Sequence, residues 1–133
     1  MNCKLGGEPW AVKMPLKKTM VIGYDTYHDT AKKGRSVGAI VATMNQTLTK
    51  YMSLANMHES VGQELQDNLC PNIIKILRKY NDLNGNLPSR IILYRDGVGD
   101  GQIPYVVEHE IKAIKVRQSS PAATVFYLIF LFS

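Results

Sequence analysis

A chain of 133 residues has room for one small domain and not for two. Its 45% hydrophobic and 20% charged residues are the composition of a folded protein, which excludes an intrinsically disordered chain. The 16 Lys and Arg against 11 Asp and Glu leave a formal net charge of +5, suited to a polyanionic partner such as nucleic acid.

From the start of the chain, "MNCKLGGEPWAVKMPLKK" has no apolar centre and so does not read as a secretory signal. Cys3 and Cys70 match no zinc spacing and read as reduced thiols of an intracellular protein. Three strand-like runs follow: Met20–Tyr27, Ser36–Met44 and Leu48–Met57. A basic turn, "HDTAKKGR", separates the first two, and Asn45–Thr47 reads as a hairpin connection between the second and third. Short links between adjacent strands predict an antiparallel meander.

The period then changes. Val61, Leu65, Leu69, Ile73, Leu77 and Tyr80 recur at near-helical spacing, which predicts an amphipathic helix over Ser60–Asn81. Ser60 and Gln63 would form its capping box, and Pro71 would interrupt it at a cost of roughly 3 kcal/mol or a kink. After the turn-rich "NDLNGNLP", Arg90–Asp96 is a continuous apolar run of the fully buried kind. Pro104 suits the first turn of a last helix whose inner face is Val107, Ile111 and Ile114. The tail Val125–Phe132 is apolar throughout but falls short of the ~20 residues of a membrane span, so no membrane partner is expected.

The predicted order is therefore β-β-β-α-β-α. An antiparallel meander, a helical crossover and a buried parallel strand predict an α/β protein with a mixed sheet and helices packed on it. This is the opening of a ribonuclease-H-like fold, incomplete in a chain this short.

That topology constrains the carboxylates. Asp25 ends the first strand and Asp96 the fourth, and neighbouring strands would bring both to one sheet edge. Two hard oxygen donors there could share Mg²⁺ (or Mn²⁺). Such ions, in pairs about 3.5–4 Å apart, support phosphodiester hydrolysis by activating water and stabilising the leaving oxygen. Other polar residues have plainer readings. His28 and Asp29 fit an exposed turn; Lys32, Lys33 and Arg35 fit a solvated loop; His58 and His109 sit on a strand end and a helix; Asp100 fits a turn.

"GYDTYHD", "GQELQDNL" and "SRIILYRDGVGDGQ" resemble the PIWI domain of the Argonaute superfamily, and its Piwi branch in particular. "NCKLGGEPWAV" and "PLKKTMVIG" resemble what precedes the first strand in that branch, so the resemblance covers Met1 to about Val116. It implies that Asp25 and Asp96 are the first and second catalytic aspartates, with Asp25 and Asp96 as Mg²⁺ or Mn²⁺ ligands. It further implies that Glu64 is the glutamate that plugs into the metal site, and that Lys4 binds the 5′ phosphate of a guide RNA. The family's catalytic histidine, far downstream of "YRDG", has no counterpart here; neither His58 nor His109 matches it.

The resemblance divides the chain into the end of a MID–PIWI linker (1–19), a partial PIWI domain (20–116) and a divergent apolar tail (117–133). The tail is expected to be foreign to the family; the alternative is that it pairs as the family's next strand. The implied function is that of a fragment of a Piwi-type, small-RNA-guided RNA-binding endoribonuclease acting in gene silencing, inside the cell, in cytoplasm or nucleus. Its partners would be a small guide RNA and a target RNA, and nothing in the sequence points to an oligomer. A chain lacking the histidine and the domain's second half is expected not to cut RNA by itself. A non-catalytic nucleic-acid-binding remnant, or a truncated gene product without function, is the alternative.

Overall fold

The computed structural model describes residues 5, 7–11, 13, 15–28, 36–58, 69–96, 101, 104 and 127–132. Its elements are β1 (Thr19–His28), β2 (Ser36–Thr43), β3 (Tyr51–His58), α1 (Leu69–Asn84), β4 (Arg90–Arg95) and β5 (Tyr127–Phe132). They build one five-stranded sheet in the order β3-β2-β1-β4-β5. β1 pairs with β2, and β2 with β3, antiparallel; β4 lies parallel to both β1 and β5. The predicted meander and crossover are both present, and the first and fourth strands are neighbours.

Strand alternation decides which face is buried. Met20, Ile22 and Tyr24 of β1 point the same way as Ile40 and Ala42 of β2 and Ile91 and Leu93 of β4, and all are buried. Against them α1 sets Leu69, Ile73, Ile76 and Tyr80, the stripe that helical spacing predicts. Burying each of these helix side chains is worth roughly 1.5–3 kcal/mol. On the opposite face, Tyr27, Val41, Tyr51, Met57 and Tyr94 are exposed.

Several boundaries differ from those expected, each for a local reason. α1 continues past Asn81 to Asn84, where Gly85 takes a left-handed φ of 70° and donates its N–H to the Asn81 carbonyl at 2.7 Å. Pro71 is the third residue of α1 as described, and the helix runs on unbroken from it to Asn84. β3 begins at Tyr51 and not at Leu48, because Asn45 holds the preceding turn closed: its Oδ1 accepts the N–H groups of Thr49 and Lys50 at 2.9 and 3.0 Å. The apolar tail supplies β5, in register with β4 from Arg90↔Tyr127 to Arg95↔Phe132. Ser60, Val61, Gln63 and Leu65, and Val107, Ile111 and Ile114 of the last predicted helix, lie outside the described residues.

Candidate metal-binding carboxylate site

β1 and β4 run side by side in parallel from Thr19↔Arg90 to Tyr24↔Arg95. The next residue along each strand is an aspartate. Asp25 does not end β1, which continues to His28 and from Asp25 onward is laddered to β2 (Asp25↔Ala39 to His28↔Ser36). It is β4 that stops, at Arg95, so both carboxylates stand at the step where the parallel ladder ends. The ladder's last link is the N–H of Asp96, which donates to the Tyr24 carbonyl at 3.1 Å.

The alternation that buries Tyr24 and Arg95 turns Asp25 and Asp96 to the other face, and both are exposed. Their neighbours on that face are the register pair Gly23 and Tyr94. A methyl group added at Gly23, two residues before Asp25 on that face, would meet nothing within 4 Å. Asp25 Oδ1 accepts the N–H of Thr26 at 2.7 Å, which uses part of its acceptor capacity and fixes its orientation. Among the described residues no group of three or more His, Cys, Asp or Glu gathers as a metal centre. Two carboxylates on one face still fit a hard divalent cation, because both offer only oxygen donors and both are open to solvent.

Glu64 and Lys4 lie outside the described residues, as do Asp29, Lys32, Lys33, Arg35, Asp100 and His109. His28 and His58 end β1 and β3, each in register with Ser36.

Sequence reasoning missed the residues just before the two aspartates. Arg95, at 8% exposure, is buried within an otherwise apolar face, and its guanidinium lies 4.6 Å from the centroid of the Tyr24 ring. Its Nη1 donates to the Asp96 carbonyl. The available signal was the paired spelling "YD" and "RD" at equivalent positions of two strands.

Residues 1–129 match the Piwi domain family. The chain belongs to that family. Piwi-like protein Siwi of Bombyx mori is 52% identical over 117 residues, a match covering 88% of this chain and 13% of Siwi. The crystal structure of Drosophila Piwi superposes with a TM-score of 0.80 at 34% identity, over 98% of this chain and 18% of that one. Kluyveromyces polysporus Argonaute, solved with a guide RNA, gives a TM-score of 0.70 at 27% identity over 86% of this chain and 14% of its own. The sheet and helix are thus those of part of a ribonuclease-H-like PIWI domain, and the chain spans about an eighth of the length of the curated relatives it matches. Among the described residues, no helix is long and apolar enough to cross a membrane.

Proposed function

We propose that this Piwi-family chain carries part of the metal site of a small-RNA-guided endoribonuclease that acts in gene silencing inside the cell. Asp25 and Asp96 are the ligands of Mg²⁺ or Mn²⁺, and Glu64 completes the set. The observation that carries this reading is the parallel pairing of β1 with β4, which sets two exposed aspartates side by side at the step where that ladder ends. Bound there, a divalent cation would activate water and stabilise the leaving oxygen of an RNA phosphodiester. The chain's own contribution is to hold two oxygen donors on a ladder that cannot slip without exposing the core.

Lys4 contributes positive charge for a guide 5′ phosphate, and base pairing between guide and target supplies the sequence specificity. The solved Argonaute with a guide RNA supports a guide as partner. The division into residues 1–19, 20–116 and 117–133 belongs to the same proposal, with the pairing of β5 favouring a structural role for the tail as the strand beside β4.

On this reading the chain alone does not cut RNA. Neither His58 nor His109 matches the family's catalytic histidine. The net charge of +5 supports a second, weaker property: RNA binding without sequence preference that falls steeply with added salt.

The test has two arms. Mn²⁺ titration of the 133-residue chain, followed by paramagnetic broadening of amide signals, is expected to affect residues near Asp25 and Asp96 first. Mn²⁺ that broadens signals elsewhere and spares these would overturn the metal reading. Guided cleavage is expected from a chimera that continues the chain with the rest of a relative's PIWI domain. It is not expected from the chain by itself, and Asp25→Ala or Asp96→Ala is expected to silence the chimera.

A further inference from the structure

The guanidinium of Arg95 is an expensive group to place at the last buried step of an apolar strand, since a leucine there would fill space without desolvating a charge. Three contacts converge on it and its neighbours. The guanidinium stacks over Tyr24, itself 6% exposed, at 4.6 Å. It donates through Nη1 to the Asp96 carbonyl. The N–H of Asp96 in turn donates to the Tyr24 carbonyl at 3.1 Å.

The Asp96 backbone is therefore tied on both sides of its Cα, by its N–H to β1 and by its C=O to Arg95. The Tyr24 carbonyl that receives the N–H belongs to the peptide unit leading into Asp25. One residue, Tyr24, thus links the backbones that carry both carboxylates, and Arg95 locks the link from the buried face. With the backbone fixed, each carboxylate keeps only its side-chain torsions, and Thr26 N–H restrains that of Asp25.

We propose that Arg95, stacked on Tyr24, is a positioning residue for the aspartate pair: it fixes the exit of β4 so that Asp96 faces the same point in space as Asp25. Arg95 touches neither the cation nor the substrate. The role rests on the metal-site reading above for its purpose, but the clamp itself is a property of the chain without metal.

The planar fork matters, because stacking and donating at once is what guanidinium does and ammonium does less well. The clamp uses the ring face of Tyr24. These two statements separate a clamp from a merely buried side chain.

Amide hydrogen exchange on the metal-free 133-residue chain tests the clamp directly. In Arg95→Met the Asp96 amide is expected to exchange at least tenfold faster, while amides deeper in the same ladder, at Ile22 and Ile92, stay at their wild-type rates. Arg95→Lys is expected to fall between the two. Tyr24→Phe, which keeps the ring face, is expected to stay nearer wild type than Tyr24→Leu, which is expected to behave as Arg95→Met does. Where the wild-type chain binds Mn²⁺, Arg95→Met is expected to weaken that binding about tenfold with the fold intact.

An unchanged Asp96 amide in Arg95→Met would overturn the proposal. So would an acceleration shared equally by Ile22 and Ile92, which would make Arg95 a contributor to overall stability only. If Arg95→Met does not fold, the tyrosine variants decide: equal Asp96 exchange in Tyr24→Phe and Tyr24→Leu rejects the clamp. A wild-type chain that binds no Mn²⁺ sinks the metal reading alone, and the exchange rates still judge the clamp.

Discussion

The two ends of the sheet treat their carboxylates in opposite ways. At the end where β2 turns into β3, Glu8 reaches across from the N-terminal segment and is surrounded by donors. Lys50 Nζ stands 2.9 Å away, Asn45 Nδ2 donates at 2.9 Å, and the hydroxyls of Thr49 and Thr47 donate at 2.8 and 3.3 Å. At the other end Asp25 accepts the N–H of its own neighbour and is exposed. A carboxylate whose lone pairs are all claimed is a staple, and one left with acceptor capacity on an open face can take a ligand. Proximity of charge to an element's end is common to both; what differs is whether the protein's own donors have used it up.

The core between the ends offers the largest effect. Ile76 is fully buried under the sheet, and Ile76→Ala is expected to cost about 2–5 kcal/mol, read from urea denaturation. If the two ends share one cooperative unit, amide exchange at Asp96 and at Lys50 should rise together in this variant. Independent responses would mean that the ends are separate units and the comparison between them one of convenience.

Exchanging carboxylate for amide at each end sharpens the contrast. Asp96→Asn is expected to weaken Mn²⁺ binding at least tenfold, about 1.4 kcal/mol, with little change in denaturation midpoint. Glu8→Gln should do the reverse, lowering the midpoint while leaving Mn²⁺ titration curves superimposed. A metal affinity that falls equally in both variants would erase the distinction drawn here.

Much of this was legible in the chain and some was not. The order of strands and helix followed from runs such as "RIILYRD" and from the spacing of Leu69, Ile73 and Tyr80, because a short apolar run bounded by turn residues marks a buried strand and a near-3.6 period an amphipathic helix. The adjacency of Asp25 and Asp96 followed from the crossover. What did not follow was which polar residues meet from distant parts of the chain. Glu8 lies 42 residues before Lys50, and Arg95 reaches Tyr24 across a ladder; neither contact has a periodic signature. The turn before β3 was misplaced for a related reason: Leu48 and Thr49 have strand-like composition, and only the side chain of Asn45 holds them out of the sheet.

pH separates the ends more gently. The Lys50 contact first, then the Thr49 hydroxyl, hold the Glu8 carboxyl below its ordinary value of 4.5. A group with a lowered folded pKa binds fewer protons folded than unfolded, so it stabilises the fold above its unfolded value and loses that contribution as pH falls through its folded one. Stability of the wild-type chain is therefore expected to fall more steeply below pH 4.5 than that of Glu8→Gln, measured by urea midpoints across that range. Parallel pH curves would show that Glu8 contributes no linkage and that its donors merely cover it. Added salt should shrink the difference, since Lys50 is half exposed and its charge is screened.

The smallest effect belongs to the turn that presents those donors. Leu48 adopts a φ of 56°, in the left-handed region where a side chain crowds the following carbonyl. Its N–H donates to the Asn45 carbonyl at 3.3 Å, and that contact, with the two N–H groups held by Asn45 Oδ1, fixes the conformation regardless of the residue's preference. Glycine removes the crowding, worth roughly 1–2 kcal/mol, but loses more freedom on folding, worth roughly 0.5–1 kcal/mol. The half-buried leucine side chain also gives up some contact area. Leu48→Gly is therefore expected to gain about 0.5 kcal/mol or to break even, whereas Leu48→Val, with a branched Cβ in the same backbone, should lose about 1 kcal/mol or more. Their order in thermal midpoints is the readout. A valine variant as stable as the glycine one would mean that the turn relaxes out of the left-handed region, and with it the donors that hold Glu8.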